Sequence, residues 1–251
     1  MRVALDATPL TLSSGGLTRY TSELSQALER EFPEDEFTLI SDQPFAARNP
    51  SVQMRQASAC PLNILERRWW LWGVHRAMSR IRAGLFHGTN FTVPFLPLRP
   101  SVLTLHDLSP WMDPAWHGDA GSVRQRTPLF LNMGIATIVV TDTEAVRRQA
   151  IDYFRLQPDR IVAVPLAAPE WLVPPPPVPL VGGPYFLYIG TLEPRKNLHM
   201  LIDSWRPVYR ETGIGLTLAG RCRLDFPPIP PEPGLIMTGE VCERELASLY
   251  S

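Results

Sequence analysis

The run YFLYIGTLEPRKNLHMLIDSW, Tyr185 to Trp205, decides how the chain is read. Tyr185-Phe186-Leu187-Tyr188-Ile189 is a short aromatic and β-branched segment that predicts a buried strand. Gly190 and Thr191 end it. Pro194 suits the first turn of a helix, where a missing N–H costs nothing. Leu198, Leu201, Ile202 and Trp205 then recur at helical spacing. Arg195, Lys196 and Asn197 are thereby predicted in a helical first turn after a strand. Lys196 is the only lysine; the other 23 of the 24 Lys and Arg residues are arginine. Cations at the positive end of a helix are disfavoured by about 0.3–1 kcal/mol each. Two explanations fit: an anion such as phosphate held between the helix end and the side chains, or solvated cations offset by Glu193.

Working outward, the same strand-then-helix unit recurs. Val3-Ala4-Leu5 opens as a strand, and a glycine loop, Ser13-Ser14-Gly15-Gly16, leads to a helix with Leu17, Tyr20, Leu24, Ala27 and Leu28 on one face. EFTLIS is a second strand and VQMRQA a third. Pro61 to Ile81 reads as helix, with Trp69, Trp70 and Trp72 as core aromatics. GLFHG and SVLTLHD are strands. A helix over Val123 to Ile135 precedes the strand TIVVTD, and one over Glu144 to Phe154 precedes RIVAVPL, with Arg147 and Arg148 on a solvated face. Strands alternating with helices predict an α/β fold whose parallel sheet is covered on both faces. Many of the chain's 27 prolines, seven of them, fall in Ala168–Pro184, which cannot join a helix or a central strand. The expected organisation is a Rossmann-like domain over 1–167, a semi-rigid connector over 168–184, and a second βα domain over 185–251. Only about three strands follow the connector, so the second domain is expected to be the first part of a longer one.

The composition narrows the function. With 251 residues, 45% hydrophobic and net charge −1, the chain suits one or two folded domains and gives no bulk attraction for nucleic acid or membrane. Cys60, Cys222 and Cys242 are odd in number and widely spaced, which argues for reduced thiols rather than a disulfide framework or zinc site. No signal peptide is visible at the N-terminus. The longest uncharged apolar stretch, Pro128 to Val140, falls short of the roughly 20 residues that span a bilayer. No metal and no cofactor is expected.

Ligands of open parallel sheets bind at the carboxyl ends of strands. Three polar clusters fall there besides the Lys196 turn. Gly15 and Gly16 allow close backbone approach before a helix N-terminus, or are simply a turn. His106 and Asp107 leave a buried strand, as functional groups or as a satisfied histidine beside a capping aspartate. His87, Thr89 and Asn90 follow another strand, as site residues or as an ordinary polar loop. Two βα domains with a glycine loop on one and cations on the other suggest a cleft for an anionic donor.

Together these segments resemble the retaining glycosyltransferases of family 4, which have the GT-B architecture of two Rossmann-like domains. ALDATPLTLSSGGLTRYTSEL resembles the family's first strand, glycine loop and helix. VLTLHDLSPWMDPAW resembles its His-Asp-Leu segment, and VVTDTEAVRRQAI the segment that often carries Ser-Glu. YFLYIGTLEPRKNLHMLIDSW resembles the opening of the nucleotide-sugar domain, and GEVCERELASLYS the segment before the donor loop. The resemblance implies that Lys196 contacts donor phosphate with Arg195, Thr191 and Asn197 around it. It implies that Gly15 and Gly16 approach donor and acceptor, that His106, with Asp107 next to it, lies beside the transferred sugar, and that His87 and Asn90 are on the acceptor side. It implies front-face attack, with the leaving phosphate taking the acceptor proton and no metal in the site. Two departures stand out. Many members carry an arginine five residues before the lysine, where this chain has Thr191. The family's pair of donor-binding glutamates has no counterpart before Ser251.

The expected activity is transfer of a hexose, mannose among the candidates, from a nucleotide sugar to a glycan or lipid-linked acceptor in envelope polysaccharide synthesis. The resemblance places it in the cytoplasm, with peripheral attachment at the inner membrane as an option, and the chain by itself is expected to transfer poorly. The alternatives are a nucleotide-sugar epimerase of the same fold and a non-catalytic binding module. Donor base, sugar, linkage and oligomeric state are not set by the sequence.

Overall fold

The computed structural model describes residues 1–12, 15–45, 55–58, 68–113, 116–117, 120–168 and 182–250. Ser13-Ser14, Cys60, the first part of the helix expected over 61–81, and most of the proline connector lie outside the described residues.

The chain divides into two compact units, Met1–Ala167 and Ala168–Ser251. In the first, seven parallel strands form one sheet in the order β3-β2-β1-β4-β5-β6-β7. They are β1 (Arg2–Asp6), β2 (Glu36–Ser41), β3 (Arg55–Ser58), β4 (Leu85–Gly88), β5 (Ser101–Leu105), β6 (Ile138–Thr141) and β7 (Ile161–Ala163). Helices α1 (Gly16–Glu31), α2 (Val74–Arg80), α3 (Ser109–Met112), α4 (Gly121–Asn132) and α5 (Glu144–Phe154) connect them. The sheet reverses its order between β1 and β4, so the carboxyl ends of these two strands flank the switch point of a doubly wound sheet.

The central strands are buried on both faces, and their side chains divide by the period of two. Val3, Leu5, Phe37 and Leu39 enter one core with Ala7 and Leu10. Ala4, Ile40, Phe86, Leu103 and Leu105 enter the other with Met78, Phe130 and Leu131. At the sheet edge β7 is less covered, with Ile161 buried and Val162 exposed.

Several sequence-based expectations change in detail. On α1 the buried residues are Thr18, Thr21, Ser22 and Ser25, while Leu17, Tyr20, Leu24, Ala27 and Leu28 are half-buried. Small hydroxyl side chains let the helix sit close to its support, and they bond there. Thr18 Oγ1 donates to the Pro9 carbonyl at 2.9 Å and Thr21 Oγ1 to Thr89 Oγ1 at 3.1 Å. The helix expected over 123–135 runs Gly121–Asn132. Trp69 to Gly73 wind as a π-helical turn before α2; Trp69 is buried, whereas Trp72 is 41% exposed and is not a core residue. Arg147 is not on a solvated face. Its Nε donates to the Ile161 carbonyl at 2.8 Å and its Nη2 to the Pro158 carbonyl at 2.9 Å, which pins α5 to β7. Thr143 caps α5 by accepting from the Val146 amide at 3.1 Å.

The second unit holds β8 (Tyr185–Ile189), β9 (Gly215–Ala219) and β10 (Leu235–Gly239), parallel in the order β10-β9-β8, with α6 (Leu198–Thr212) and α7 (Glu243–Leu249). Leu198, Ile202 and Trp205 of α6 pack on Leu216, Leu218 and Phe226. A truncation such as Leu198→Ala in this core costs about 2–5 kcal/mol. Gly213, at φ 72°, ends α6 in a left-handed conformation that glycine adopts without strain. The phenol of Tyr185 donates to the Leu249 carbonyl at 2.9 Å and ties α7 to β8.

Candidate functional site

Each unit gathers polar side chains at the carboxyl ends of its strands. In the first unit the cluster lies around the switch point. Asp6 ends β1 with no exposed surface. Its Oδ1 accepts from the Thr8 amide at 3.0 Å and the Thr8 hydroxyl at 2.8 Å. Burial pushes the Asp6 carboxyl up to about 6; the Thr8 bonds oppose this, the charge of Asp42 adds to it, and Arg126 opposes it. Thr89, after β4, donates its hydroxyl to the Asp6 carbonyl at 3.0 Å, which joins the ends of β1 and β4.

His106, after β5, is engaged on both ring nitrogens. Nδ1 lies 2.8 Å from Asp142 Oδ2 and Nε2 lies 2.9 Å from the Thr89 carbonyl oxygen. Tyr20 of α1 stands edge-on to the ring at 4.7 Å between centroids, and Phe91 at 5.8 Å. Phe91 holds a left-handed backbone, φ 54°, fixed by its amide on the Thr104 carbonyl and by the Thr127 hydroxyl on its own carbonyl. Asp107 accepts from the Ser109 amide at 2.9 Å and the Ser109 hydroxyl at 2.6 Å, and so shapes the turn into α3. His87 Nε2 is 3.0 Å from Thr104 Oγ1, which is 3.4 Å from the Tyr20 hydroxyl. Burial, reinforced by His106, pushes the His87 imidazole down to about 4, so it is neutral at pH 7. Burial raises the Tyr20 phenol.

Two buried acceptor oxygens in this cluster, Asn90 Oδ1 and Asp142 Oδ1, have no hydrogen-bond partner among the described residues. Gly15 precedes α1 at φ 126°, a value that disfavours side chains, and as a glycine N-cap it leaves the first-turn amides without a side-chain cap. Gly16 is the first residue of α1, and both glycines are exposed.

In the second unit the sequence-predicted residues lie where β8 passes into α6, with a different local shape. Pro194–Lys196 form a 3-10 turn and Asn197 sits at φ 49°, so α6 begins at Leu198. Arg195, Lys196 and Asn197 are therefore outside the first turn of α6. Asparagine tolerates the left-handed conformation that separates the two helical pieces. Arg195 is also neutralised from within. Glu193, only 7% exposed, accepts from Arg195 Nη2 at 2.8 Å and from Arg223 Nη1 at 3.1 Å, and Arg223 continues to Asp225. Lys196 is exposed and has no ion-pair partner among the described residues. The Thr191 carbonyl accepts from the Tyr188 hydroxyl at 3.1 Å. Burial and the charge of Glu193 raise the Tyr188 phenol.

The loop after β9 presses against this turn. Leu192 donates its amide to the Arg221 carbonyl at 2.9 Å, and Arg223 donates its amide to the Leu192 carbonyl at 3.0 Å. Gly220, at φ 144°, is close enough to Gly190 that a Cβ would meet the Gly190 carbonyl oxygen at 2.0 Å.

Sequence reasoning missed Asp6, Tyr20, Thr104, Arg126 and Asp142 in the first unit, and Glu193 and Arg223 as a pair in the second. Asp6 and Asp142 carried a usable signal, since each ends a predicted strand. Among the described residues no group of three or more His, Cys, Asp or Glu side chains could hold a metal ion. No helix there is long and apolar enough to cross a membrane.

No family model matches the chain. It is 26% identical over 235 residues to the O-antigen chain mannosyltransferase B of Escherichia coli, covering 84% of this chain and 61% of that protein. The chain thus spans about three fifths of the length of the curated relative it matches. Among solved structures, Anabaena HepE in complex with UDP-glucose superposes with a TM-score of 0.70 at 13% identity, covering 99% of this chain and 71% of that one. WaaG, a glycosyltransferase involved in lipopolysaccharide biosynthesis, superposes with a TM-score of 0.61 at 11% identity, covering 99% of this chain and 72% of that one. A doubly wound seven-stranded unit, a second parallel βα unit and these superpositions agree: the chain has the GT-B-like α/β fold that its sequence leads one to expect.

Proposed function

We propose that the chain belongs to a retaining hexosyltransferase that takes a nucleotide sugar as donor and a glycan or lipid-linked acceptor, in envelope polysaccharide synthesis. Its likeness in sequence to an O-antigen mannosyltransferase supports mannose as the sugar and an O-antigen-type glycan as the product. The observation that carries the reading is Lys196. The one lysine of the chain is exposed at the carboxyl end of β8 and has no ion-pair partner among the described residues, while Arg195 beside it is already matched by Glu193. An ammonium in that position suits a phosphate oxygen of the donor. Thr191 and Asn197 line the same turn, and the uncapped amides behind Gly15 and Gly16 offer the first unit's anion-seeking group.

In the reaction we propose, the acceptor hydroxyl oxygen bonds to the anomeric carbon on the face from which the diphosphate leaves. The bond from that carbon to the phosphate oxygen breaks, and the departing phosphate takes the hydroxyl proton. Lys196 stabilises the charge that builds on the diphosphate, which is electrostatic catalysis needing no acid from the protein. Asn90 and His87 belong to the acceptor side, and His106 and Asp107 shape the wall beside the transferred sugar. No metal or cofactor enters this scheme. Peripheral attachment at the inner membrane would bring a lipid-linked acceptor within reach.

The test is calorimetric titration of the chain with UDP and with GDP, in the parent form and as Lys196→Ala. Loss of one charge-assisted contact is worth about 1.5–3 kcal/mol, so affinity should fall roughly ten- to hundredfold. Equal affinity in the variant would overturn the assignment of Lys196. Absence of heat with either nucleotide would favour the non-catalytic binding module. Consumption of the donor without an acceptor would favour an epimerase, whose fold is also represented among the structural neighbours.

A further inference from the structure

We propose that Arg126 and Asn90 form a subsite in the first unit for a sugar phosphate on the acceptor, the guanidinium taking a phosphate oxygen and the amide a neighbouring hydroxyl. The inference rests on the reading of this unit as the acceptor side.

Most polar side chains around the switch point are spent on the protein itself. Asp6 accepts from Thr8, Asp107 accepts from Ser109, and Thr89 joins α1 to β1. Asn90 and Arg126 are different. Both are half-buried, and neither side chain makes a hydrogen bond or ion pair with a described residue. Asn90 Oδ1 and Arg126 Nε are moreover shut off from solvent without a partner among those residues.

The two belong to one place. Thr127 of α4 donates its hydroxyl to the Phe91 carbonyl at 2.8 Å, and Arg126 and Asn90 each precede one end of that bond. The Phe95 amide donates to the Trp70 carbonyl at 2.9 Å, which fastens the same loop to the π-helical turn. The guanidinium carbon of Arg126 stands 6.0 Å from the centre of the Trp70 ring. A cation leaning on an indole is held in place by it, and its N–H edges stay free for a forked acceptor. Asn90 is held as firmly by its neighbours. Thr89 is bonded to Asp6 and Thr21, and Phe91 is bonded through both its amide and its carbonyl.

Charge and chemistry choose the ligand. A guanidinium withdrawn from water without a bonded counter-ion is costly. Burial lowers the Arg126 guanidinium, and the charge of Asp6 opposes this without a hydrogen bond between them. Both Asp6 oxygens are already engaged by Thr8, so Asp6 offsets the cation at a distance and leaves its donors open. Phosphate suits those donors, since it pairs with guanidinium in forked, charge-assisted bonds. An amide both accepts and donates, and a sugar hydroxyl does the same. A phosphate beside a hydroxyl describes a sugar phosphate, as in a glycan joined to a lipid through phosphate.

The experiment is nitrogen-15 NMR of the arginine-labelled 251-residue chain, following the Arg126 Nε–H signal, which Arg126→Lys or Arg126→Gln identifies by its loss. The chain carries Lys196→Ala, so that the turn proposed to bind donor phosphate does not contribute. Glucose 1-phosphate, glucose 6-phosphate, glucuronate and glucose are titrated at one ionic strength. The expected result is a saturating shift with a sugar phosphate and about tenfold weaker binding of glucose. Preference for the 1-phosphate assigns the group to a lipid linkage, and preference for the 6-phosphate to a phosphorylated glycan. Affinity should fall in Asn90→Ala and fall further in Asn90→Asp, which sets a carboxylate beside the phosphate. Glucose or glucuronate binding as tightly as the phosphates would overturn the inference. So would a signal that neither sugar phosphate moves, or an affinity untouched in a folded Asn90→Asp chain. Nucleotide titration of the parent chain reads Lys196 separately, so either proposal can fail alone.

Discussion

Substitution of Asp6 by asparagine should stabilise the protein at neutral pH and leave a pH signature that can be calculated in advance. Asp6 has no exposed surface, and burial carries its carboxyl from 3.8 to about 6. The folded protein therefore holds this proton more tightly than the unfolded chain does. Its favourable contribution is complete below about pH 4 and is lost as the pH rises through about 6, because the native state must then accommodate a buried charge. The full difference corresponds to about 3 kcal/mol. Between pH 4.5 and 7 the part expressed is about 2 kcal/mol. Asparagine keeps an Oδ1 that can accept from the Thr8 amide and hydroxyl, the contacts now made at 3.0 and 2.8 Å. It carries no charge, so its stability lacks this pH term. Urea denaturation of both proteins at the two pH values gives the comparison directly. The gap between variant and parent should move in favour of the variant by about 2 kcal/mol from pH 4.5 to pH 7. Constant contributions, such as a small change in packing, cancel in that difference. A gap that does not change with pH would refute the claim that Asp6 titrates near 6 and that its buried charge burdens the fold.

Two further perturbations probe the second unit. Glu193→Gln leaves Arg195 and Arg223 without their shared carboxylate. Both guanidinium side chains are partly exposed, at 23% and 30%, so solvent limits the loss. It should be about 1–2 kcal/mol, read as faster amide hydrogen exchange in β8 and β9 with the first unit unaffected. Gly220→Ala puts a methyl group 2.0 Å from the Gly190 carbonyl oxygen at a φ of 144°. The β8 and β9 ends must separate to admit it, so exchange protection there should collapse, and nucleotide binding should weaken although no residue of the turn proposed to bind phosphate has changed.

The sequence shows the architecture well because the fold rests on periodicity. Continuous apolar strands such as Val3-Ala4-Leu5 and alternating helices leave little choice but a parallel sheet, and sites then follow at strand ends. The residue types at those ends were visible, which is why His106, Asn90 and Lys196 could be singled out. Their partners were not. His106 meets Asp142 across 36 positions and Thr89 across 17, and only the strand order β4-β5-β6 brings them together. The same holds for Glu193 and Arg223, 30 positions apart. The misread face of α1 has a different cause. Hydropathy favours Leu17, Leu24 and Leu28, but close approach to the sheet selects small side chains, and tertiary packing overrides the apolar pattern. The break at Asn197 escaped notice because a run of helix formers surrounds it, and a single left-handed residue leaves no trace in periodicity.

The hydroxyl seating of α1 has a mechanical consequence. An oily interface tolerates sliding, since one methyl group substitutes for the next along the axis at little cost. A helix keyed by Thr18 on the Pro9 carbonyl and by Thr21 on Thr89 has one axial register, and a shift of a single residue would break both bonds at once. Thr89 is in turn bonded to Asp6, and its carbonyl faces His106. The leading end of α1 at Gly15 is thereby indexed to the histidine on β5, so that a push on either is felt by the other.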